Sequence, residues 1–367
     1  MADPMVSTYS MALPKISKKD IPVSGIICSV YGLDEVPAQA KEVSCLYVLH
    51  PRSNTRASME GIACEAVVDW NKRLANNQVA PSEQNKGLVA ICFDQRNHSS
   101  REVDKLCNES WREGNPNHAH DMFSIFNGTT RDVSILIDYM GCYLFPKSDR
   151  KITNNLVLGV SLGGHAAWGC ILHEPRITSA TIIIGCPDYT NLMTDRARLS
   201  KLPAWTDSSP PGSQFLGSES FPQPLVERLR AWDPASFFLS HMNDPSLKEP
   251  MRSSSIREPT EDEKNSLRPV MKRCLAGKKI LILSGAADKL VPYARGEPFL
   301  TWLKKAVGPD GWYAEGKISL EDIVFEGVKH EVTPAMRGEA VRFIGECLAV
   351  GEGDSSSRSA MVRTSKM

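Results

Sequence analysis

The stretch of residues 155–164, which reads NLVLGVSLGG, decides the fold of this chain. Residues 155–160 form a short, nearly unalternated apolar run, which is typical of a strand buried on both faces of a parallel sheet. Residues 162–173 have a helical pattern. Between the two, residues 159–163 fit G-x-S-x-G, in which the serine lies on a strained turn and the flanking glycines pass close to each other. The sequence therefore predicts a strand–turn–helix that holds Ser161 clear of the sheet as a candidate nucleophile.

Short apolar runs of the same kind recur along the chain, and helical patterns separate them. The predicted strands are residues 26–31, 44–49, 88–93, 155–160, 180–184, 280–283 and 323–325. The predicted helices are residues 59–75, 130–145, 162–173, 297–306 and 334–348. Strands that alternate with helices imply right-handed crossovers. We therefore expect an α/β protein with a doubly wound, mostly parallel sheet.

A serine hydroxyl becomes a nucleophile when a neighbouring base takes its proton. After a strand–turn–helix of this kind, the acid and then the histidine follow in loops after later strands. Asp288 follows the predicted strand 280–283 through a glycine break, and His330 follows the strand 323–325 in the same way. Asp188, after the strand 180–184, is the alternative acid. The histidines at 50, 98, 165 and 173 fit less well, since they precede the serine or lie in the helix directly after it.

With these residues the chain resembles the α/β-hydrolase superfamily over roughly residues 23–348. The resemblance implies that Ser161, His330 and Asp288 form a catalytic triad. It also implies an oxyanion hole formed by the backbone N–H of Leu162, where the helix dipole assists, and by a second N–H in the loop after strand 44–49.

That second loop departs from the family. It reads His50-Pro51-Arg52, where the family has H-G-x, and proline has no N–H to donate. The resemblance assigns the second oxyanion donor to the residue after that position, Arg52. An arginine side chain at the mouth of the site can also bind a carboxylate or phosphate of a substrate, and a solvated side chain is the alternative.

Two further segments attract attention because they are rich in polar residues. Residues 94–99 read DQRNHS and are similar to the family's D-x-R-N-H-G segment, which implies a mostly structural role. Residues 111–122 contain several His and Asp side chains without metal-ligand spacing. We interpret them as a rim loop and helix start. The sequence predicts no cofactor and no metal.

The chain divides into four parts by composition. We predict an N-terminal extension (residues 1–22), a core (residues 23–186 and 271–349), a largely helical lid insertion (residues 187–270) and a disordered tail (residues 350–367). The insertion contains Trp205, Phe215, Phe221, Trp232, Phe237 and Phe238, which we expect to line an apolar substrate pocket.

The tail ends in Ser365-Lys366-Met367, which is close to the S-K-L peroxisomal address. It indicates a possible import receptor as a partner and either a peroxisomal or a cytoplasmic location. The ending is also similar to that of fungal α/β-hydrolases of fatty-acid and secondary-metabolite pathways.

Composition excludes several classes of protein. The 43 basic and 43 acidic residues balance, so nothing indicates nucleic acid as a partner, and no apolar stretch reaches the roughly 18 residues of a membrane span. There are ten cysteines, and those at positions 28, 45, 92, 142, 170 and 186 lie in or beside apolar runs without a C-x-x-C pair. We interpret them as reduced core residues of an intracellular protein. The oligomeric state is left open.

Together these features predict a hydrolase of carboxylic esters or thioesters with an apolar acyl or polyketide-like small-molecule substrate. The same triad also serves C–C hydrolases, acyltransferases and cyclases, and these reactions stay open at this stage. A non-catalytic binding protein on the same scaffold is the third alternative.

Overall fold

One mixed sheet forms the centre of the protein, and a computed structural model describes residues 3–9, 14–243, 251–252, 255–350 and 361–366. The strands are β1 (Lys18–Val23), β2 (Ile26–Tyr31), β3 (Glu42–Leu49), β4 (Lys86–Phe93), β5 (Lys151–Val160), β6 (Ile177–Ile183), β7 (Lys279–Gly285), β8 (Ser319–Phe325) and β9 (Met361–Lys366). The helices are α1 (Glu60–Ala75), α2 (His118–Leu144), α3 (Leu162–His173), α4 (Tyr189–Ser200), α5 (Pro203–Thr206), α6 (Gln223–Trp232), α7 (Pro234–Leu239), α8 (Glu261–Leu275), α9 (Tyr293–Val307) and α10 (Pro334–Ala349).

The strand order brings the loops of interest to one edge. It is β1-β2-β4-β3-β5-β6-β7-β8-β9, and the β1–β2 and β2–β4 pairs are antiparallel while the other pairs are parallel. The prediction of a mostly parallel, doubly wound α/β sheet is confirmed. Because strands β3 to β8 run in the same direction, the loops after β3, β5, β7 and β8 meet at the carboxyl edge of the sheet.

Helices cover both faces of the sheet, which explains the unalternated apolar strands. In β3, Tyr47 and Leu49 join one buried cluster, while Leu46 and Val48 join the cluster on the other face. Residues of α1 and α10 belong to the second cluster, and residues of α2, α3, α8 and α9 to the first. A strand that contacts apolar side chains on both faces needs no polar positions.

Helices alternate with loops in the described part of residues 187–270. These residues contain α4 to α7 and most of α8, which runs across the predicted boundary at residue 270. Phe215, Phe221 and Phe238 are fully buried in the same apolar cluster as α2 and α3. These three side chains pack the insertion onto the core, so the expectation that they line a pocket is not met.

Both termini contain strands that the sequence did not predict. Residues 18–22 of the expected extension belong to β1, and residues 361–366 of the tail expected to be disordered form β9, parallel to β8 at the sheet edge. Ser365 pairs with Ile323, and Lys366 pairs with Val324. Residues 351–360 and Met367, the last residue of the possible peroxisomal address, lie outside the described residues. A receptor that reads this ending would have to displace β9.

The cysteine side chains are not paired with one another in this structure. All ten are free thiols, and five of the six in the apolar runs are buried. Cys142 is the exception, because it lies on the solvent-exposed side of α2 next to the exposed Tyr143. None of the helices in the described part of the chain is long and apolar enough to span a bilayer.

Candidate active site

Ser161 lies on the turn between β5 and α3 in a backbone conformation that few residues adopt. Its φ is 54° and its ψ is −111°, and its N–H donates to the Ile183 carbonyl of the next strand at 2.9 Å. A side-chain-bearing residue at positive φ is strained, so surrounding contacts must hold it there. This turn places Ser161 at the carboxyl edge of the sheet, where the loops after β7 and β8 also lie.

The glycines around Ser161 allow backbone segments to approach closely. A Cβ atom at Gly159 would lie 1.9 Å from the Gly163 carbonyl oxygen, and one at Gly163 would lie 2.2 Å from the Leu49 carbonyl oxygen. Both clashes are with backbone, which cannot move without displacing a strand or helix. The close approach that the G-x-S-x-G pattern predicts is therefore present.

Replacing Gly159 by alanine will destabilise the protein by about 3 kcal/mol, because the new methyl group overlaps the Gly163 backbone. Urea unfolding followed by circular dichroism measures the change. Gly338→Ala in α10 is the matched control, since no atom lies within 4 Å of its added Cβ. It will be neutral or stabilising by up to about 1 kcal/mol. Equal stability of the two variants would contradict this view of the turn.

Ser161, His330 and Asp288 form a continuous hydrogen-bonded chain. Ser161 Oγ lies 3.0 Å from His330 Nε2, and His330 Nδ1 lies 2.8 Å from Asp288 Oδ2. The other oxygen, Asp288 Oδ1, accepts the backbone N–H groups of Leu290 at 2.8 Å and Val291 at 2.9 Å. The aspartate is thus held by the backbone of its own loop, and it holds the imidazole in turn.

The aspartate fixes the protonation pattern of this chain. Burial by itself raises the pKa of Asp288, but the hydrogen bond and charge interaction with His330 and the two backbone N–H groups outweigh it, so the pKa lies below its usual value. A carboxylate accepts from the imidazole, which assigns the ring proton of His330 to Nδ1. The lone pair on Nε2 then faces Ser161 and accepts its hydroxyl proton.

Close contact between two loops places the acid and the histidine side by side. Asp288 lies just beyond β7, and His330 lies just beyond β8. A Cβ atom at Gly285 would lie 2.4 Å from the Val328 carbonyl oxygen, and the Ala287 N–H donates to that same oxygen at 2.9 Å. The glycine that the sequence shows after β7 therefore lets the His330 loop pack against the Asp288 loop.

Asp188, the alternative acid, lies at the start of α4 and interacts with residues other than His330. Its Oδ1 accepts the Asn191 N–H at 3.0 Å and caps α4, and its Oδ2 forms an ion pair with Arg252. Both carboxylate oxygens are occupied by these partners, and the side chain is fully buried. The structure therefore brings Asp288 and not Asp188 to His330.

The two predicted oxyanion donors differ in what the structure shows for them. Leu162 is the first residue of α3, and within the described part of the chain its N–H has no protein acceptor. Arg52 lies in the loop after β3 with a buried side chain, whose Nη1 donates to the Asn108 carbonyl at 2.9 Å. The solvated arginine considered as the alternative is thus wrong. The role of the Arg52 backbone N–H stays a prediction.

The segment 94–99 connects loops, as its resemblance to the family implies. Asp94 pairs with Arg56 at 2.6 Å and accepts the Ser100 hydroxyl at 2.6 Å. His98 is buried, and its Nδ1 contacts the Arg96 carbonyl at 2.8 Å. These contacts stabilise the loop after β4 and leave neither Asp94 nor His98 beside Ser161 Oγ.

Sequence reasoning missed a group of basic side chains near the triad. Arg196 on α4 and His118 at the start of α2 lie beside Arg52, and all three line one cavity. His118 belongs to the polar run 111–122 that the sequence assigned to the rim, which was the available signal. No sequence pattern indicated a role for Arg196, because helix α4 was not predicted.

Known proteins share the fold of this chain without close sequence similarity. No protein-family model and no curated protein matches the sequence. A puromycin-hydrolyzing peptidase of Mycobacterium tuberculosis is 12% identical with a TM-score of 0.50, over 99% of this chain and 41% of that one. TT1662 of Thermus thermophilus is 17% identical with a TM-score of 0.48, over 91% of this chain and 99% of that one.

A third similar structure is the esterase Pf2001 of Pyrococcus furiosus, which is 12% identical with a TM-score of 0.45, over 91% of this chain and 92% of that one. At these identities the likeness bears on fold alone. The likeness to the puromycin-hydrolyzing peptidase, together with the strand order and the strained serine after β5, shows that the chain has the α/β-hydrolase fold. The predicted fungal subtype gains no support from these proteins.

Proposed function

We propose that this protein is a serine hydrolase that cleaves carboxylic esters or thioesters through an acyl-enzyme on Ser161. The observation that carries the proposal is the hydrogen-bonded chain from Ser161 through His330 to Asp288, with heavy-atom distances of 3.0 and 2.8 Å. These distances are within the range at which a base takes a proton directly. The strained turn at Ser161 supports the same role, because strain of this kind persists where surrounding contacts enforce it.

Each group has one task in the proposed reaction. His330 Nε2 takes the hydroxyl proton of Ser161 while the oxygen attacks the substrate carbonyl, and Asp288 stabilises the imidazolium that forms. His330 then returns the proton to the departing alcohol or thiol, which leaves the acyl group on Ser161. Water attacks the acyl-enzyme with His330 as the base again, and the carboxylic acid is released.

The negative charge that develops on the carbonyl oxygen needs donors in place. The Leu162 N–H at the start of α3 is suited to this task, since it has no protein acceptor in the described part of the chain and lies at the positive end of the helix dipole. We assign the second donor to the Arg52 N–H, as the family resemblance implies.

Capture of the acyl group by methanol tests the acyl-enzyme directly. The enzyme hydrolyses 4-nitrophenyl butyrate and phenyl butyrate in the presence of methanol, and the ratio of methyl butyrate to butyrate is measured. Because both esters give the same acyl-enzyme, the two ratios will be equal although the leaving groups differ. Ratios that change with the leaving group, or no hydrolysis of either ester, would contradict the proposal.

A further inference from the structure

A cavity of about 300 Å³ lies beside the triad, and several basic side chains are among the residues that line it. Arg52 and His118 are buried in its wall, and Arg196 is partly buried. Arg112, Lys289 and Glu113 are exposed at its mouth. At neutral pH this wall carries four arginine or lysine side chains and one carboxylate.

Arg196 makes hydrogen bonds to uncharged groups of the described residues. Its Nη2 donates to the Leu290 carbonyl at 3.0 Å, and its Nη1 contacts His118 Nε2 at 3.3 Å and the Met122 sulfur at 3.2 Å. Its Nε is fully buried and has no hydrogen-bond partner. Within the described part of the chain, no carboxylate forms an ion pair with it. Guanidinium groups removed from water are ordinarily paired with an anion.

The neighbouring imidazole cannot supply a negative charge. His118 Nδ1 contacts the Glu109 carbonyl at 2.9 Å, which assigns the ring proton to Nδ1 and leaves the lone pair on Nε2 to accept from Arg196. Burial and the charges of Arg196 and Arg52 lower the pKa of His118 to about 2, so the ring is neutral.

Two guanidinium groups, those of Arg196 and Arg52, lie close together at the inner end of the cavity. Burial and the nearby charge of Arg196 lower the pKa of Arg52 to about 10, and burial lowers the pKa of Arg196. The carboxylate in the lining, Glu113, is exposed and accepts the Ser110 N–H at 3.0 Å, and its charge interacts with Arg52 and not with Arg196 among the causes of their shifted pKa values. An anion that entered the cavity would gain hydrogen bonds and charge neutralisation together.

The cavity and the triad share one short loop. Leu290 donates its N–H to Asp288 Oδ1 at 2.8 Å, and its carbonyl accepts from Arg196 Nη2 at 3.0 Å. Lys289, which lies between Asp288 and Leu290 in the sequence, lines the mouth of the cavity. Arg196 is therefore connected to the catalytic aspartate through a single loop residue, Leu290.

We propose that this cavity binds an anionic group of the substrate, a carboxylate or a phosphate, while the scissile carbonyl lies at Ser161. The inference rests on the proposed hydrolase function and names the substrate class: esters that carry a negative charge on the acyl or the alcohol part. It adds a charged group to the apolar acyl or polyketide-like substrate that the sequence predicts, because four arginine or lysine side chains and one carboxylate line the cavity.

Matched ester pairs measure the preference. Mono(4-nitrophenyl) adipate is compared with its neutral amide isostere, 4-nitrophenyl adipamate, and 4-carboxyphenyl butyrate with 4-carbamoylphenyl butyrate. In at least one pair, wild-type kcat/KM will favour the anionic ester about tenfold or more. Arg196→Gln will reduce that ratio about tenfold or more, and Lys289→Gln, at the exposed mouth, will reduce it about twofold to threefold.

Arg198→Gln is the matched control, since Arg198 lies two residues along α4, pairs with Asp195 at 2.8 Å and does not line the cavity. It will leave the ratio unchanged. A wild-type ratio of one or less in both pairs, or an equal loss in Arg198→Gln, would overturn the inference. Because each ratio is taken within a single variant, a general loss of folded protein does not change it.

Binding without turnover separates the two proposals. Calorimetry with the Ser161→Ala protein will show tighter binding of the anionic adipate ester than of the adipamate, and competition by adipate and by inorganic phosphate will show which anion is preferred. Anion-selective binding in a protein that hydrolyses no ester would retain the anion site and refute the hydrolase. Hydrolysis without any anion preference would retain the hydrolase and refute the anion site.

Discussion

Replacing Ser161 by alanine will lower kcat for 4-nitrophenyl butyrate by about 10⁴-fold to 10⁶-fold, the range expected when a nucleophile is removed from a triad. The physical reason is that His330 loses the hydroxyl whose proton it takes at 3.0 Å, so no acyl-enzyme forms. Steady-state kinetics over a range of enzyme concentrations measures the residual rate.

A matched serine controls for packing effects. Ser284 is buried at the end of β7, close to the triad but outside its hydrogen-bonded chain. Ser284→Ala will keep kcat within about threefold of wild type, because no side chain of the hydrogen-bonded chain is altered. The thermal unfolding midpoint of Ser161→Ala will match or exceed that of wild type, since the strained turn loses a polar side chain only. A Ser161→Ala protein that is folded and fully active would refute the assigned nucleophile.

Asp288→Asn will lower kcat by about 10⁴-fold, because an amide cannot hold the Nδ1–H tautomer of His330 as the carboxylate does. Asp188→Asn will act on stability instead. It breaks the buried ion pair with Arg252 and will lower the free energy of unfolding by about 3 kcal/mol. The kcat of the folded Asp188→Asn protein will stay within about tenfold of wild type.

Measuring kcat and the unfolding free energy for both variants separates the two carboxylates. The expected pattern is a stable, inactive Asp288→Asn and a weakened, active Asp188→Asn. The opposite pattern, in which only the folded Asp188→Asn protein is inactive, would move the acid to the end of β6 and refute the triad given above.

The sheet centre was predictable because burial on both faces leaves a strong apolar signal. Residues 26–31 and 162–173 coincide with β2 and α3. The other central strands begin one to four residues before the predicted starts, and β6 ends one residue before its predicted end. β1 was not predictable in the same way. Its first three residues are exposed at the edge of the sheet, so polar side chains are tolerated there.

Helix α4 shows why the insertion gave little signal. Its sequence, YTNLMTDRARLS, is polar on average, although most of its residues are buried. The helix is held by tertiary contacts: Asp188 caps its start, and Arg196 reaches the loop after β7. Local periodicity cannot report such contacts, because the partners lie far away in the sequence.

The dependence on contacts between distant residues also explains why the triad was predicted from the sequence and the basic cavity was not. Ser161, Asp288 and His330 each follow a strand whose apolar run marks it, and parallel strands bring those loops to a common edge. The cavity depends instead on the packing of α4 against the start of α2 and the loop after β3. The sequence could name Arg52 as a possible anion ligand, but it could not reveal that Arg196 and His118 lie beside it.

Labelling with a fluorophosphonate probe, followed by peptide mass spectrometry, tests the central claim most directly. A base-activated serine at the end of β5 will react at neutral pH with one equivalent of probe, and the adduct will map to Ser161. The His330→Ala protein will react far more slowly. An adduct at another residue, or no adduct in the folded wild-type protein, would contradict the assignment of Ser161 as the nucleophile.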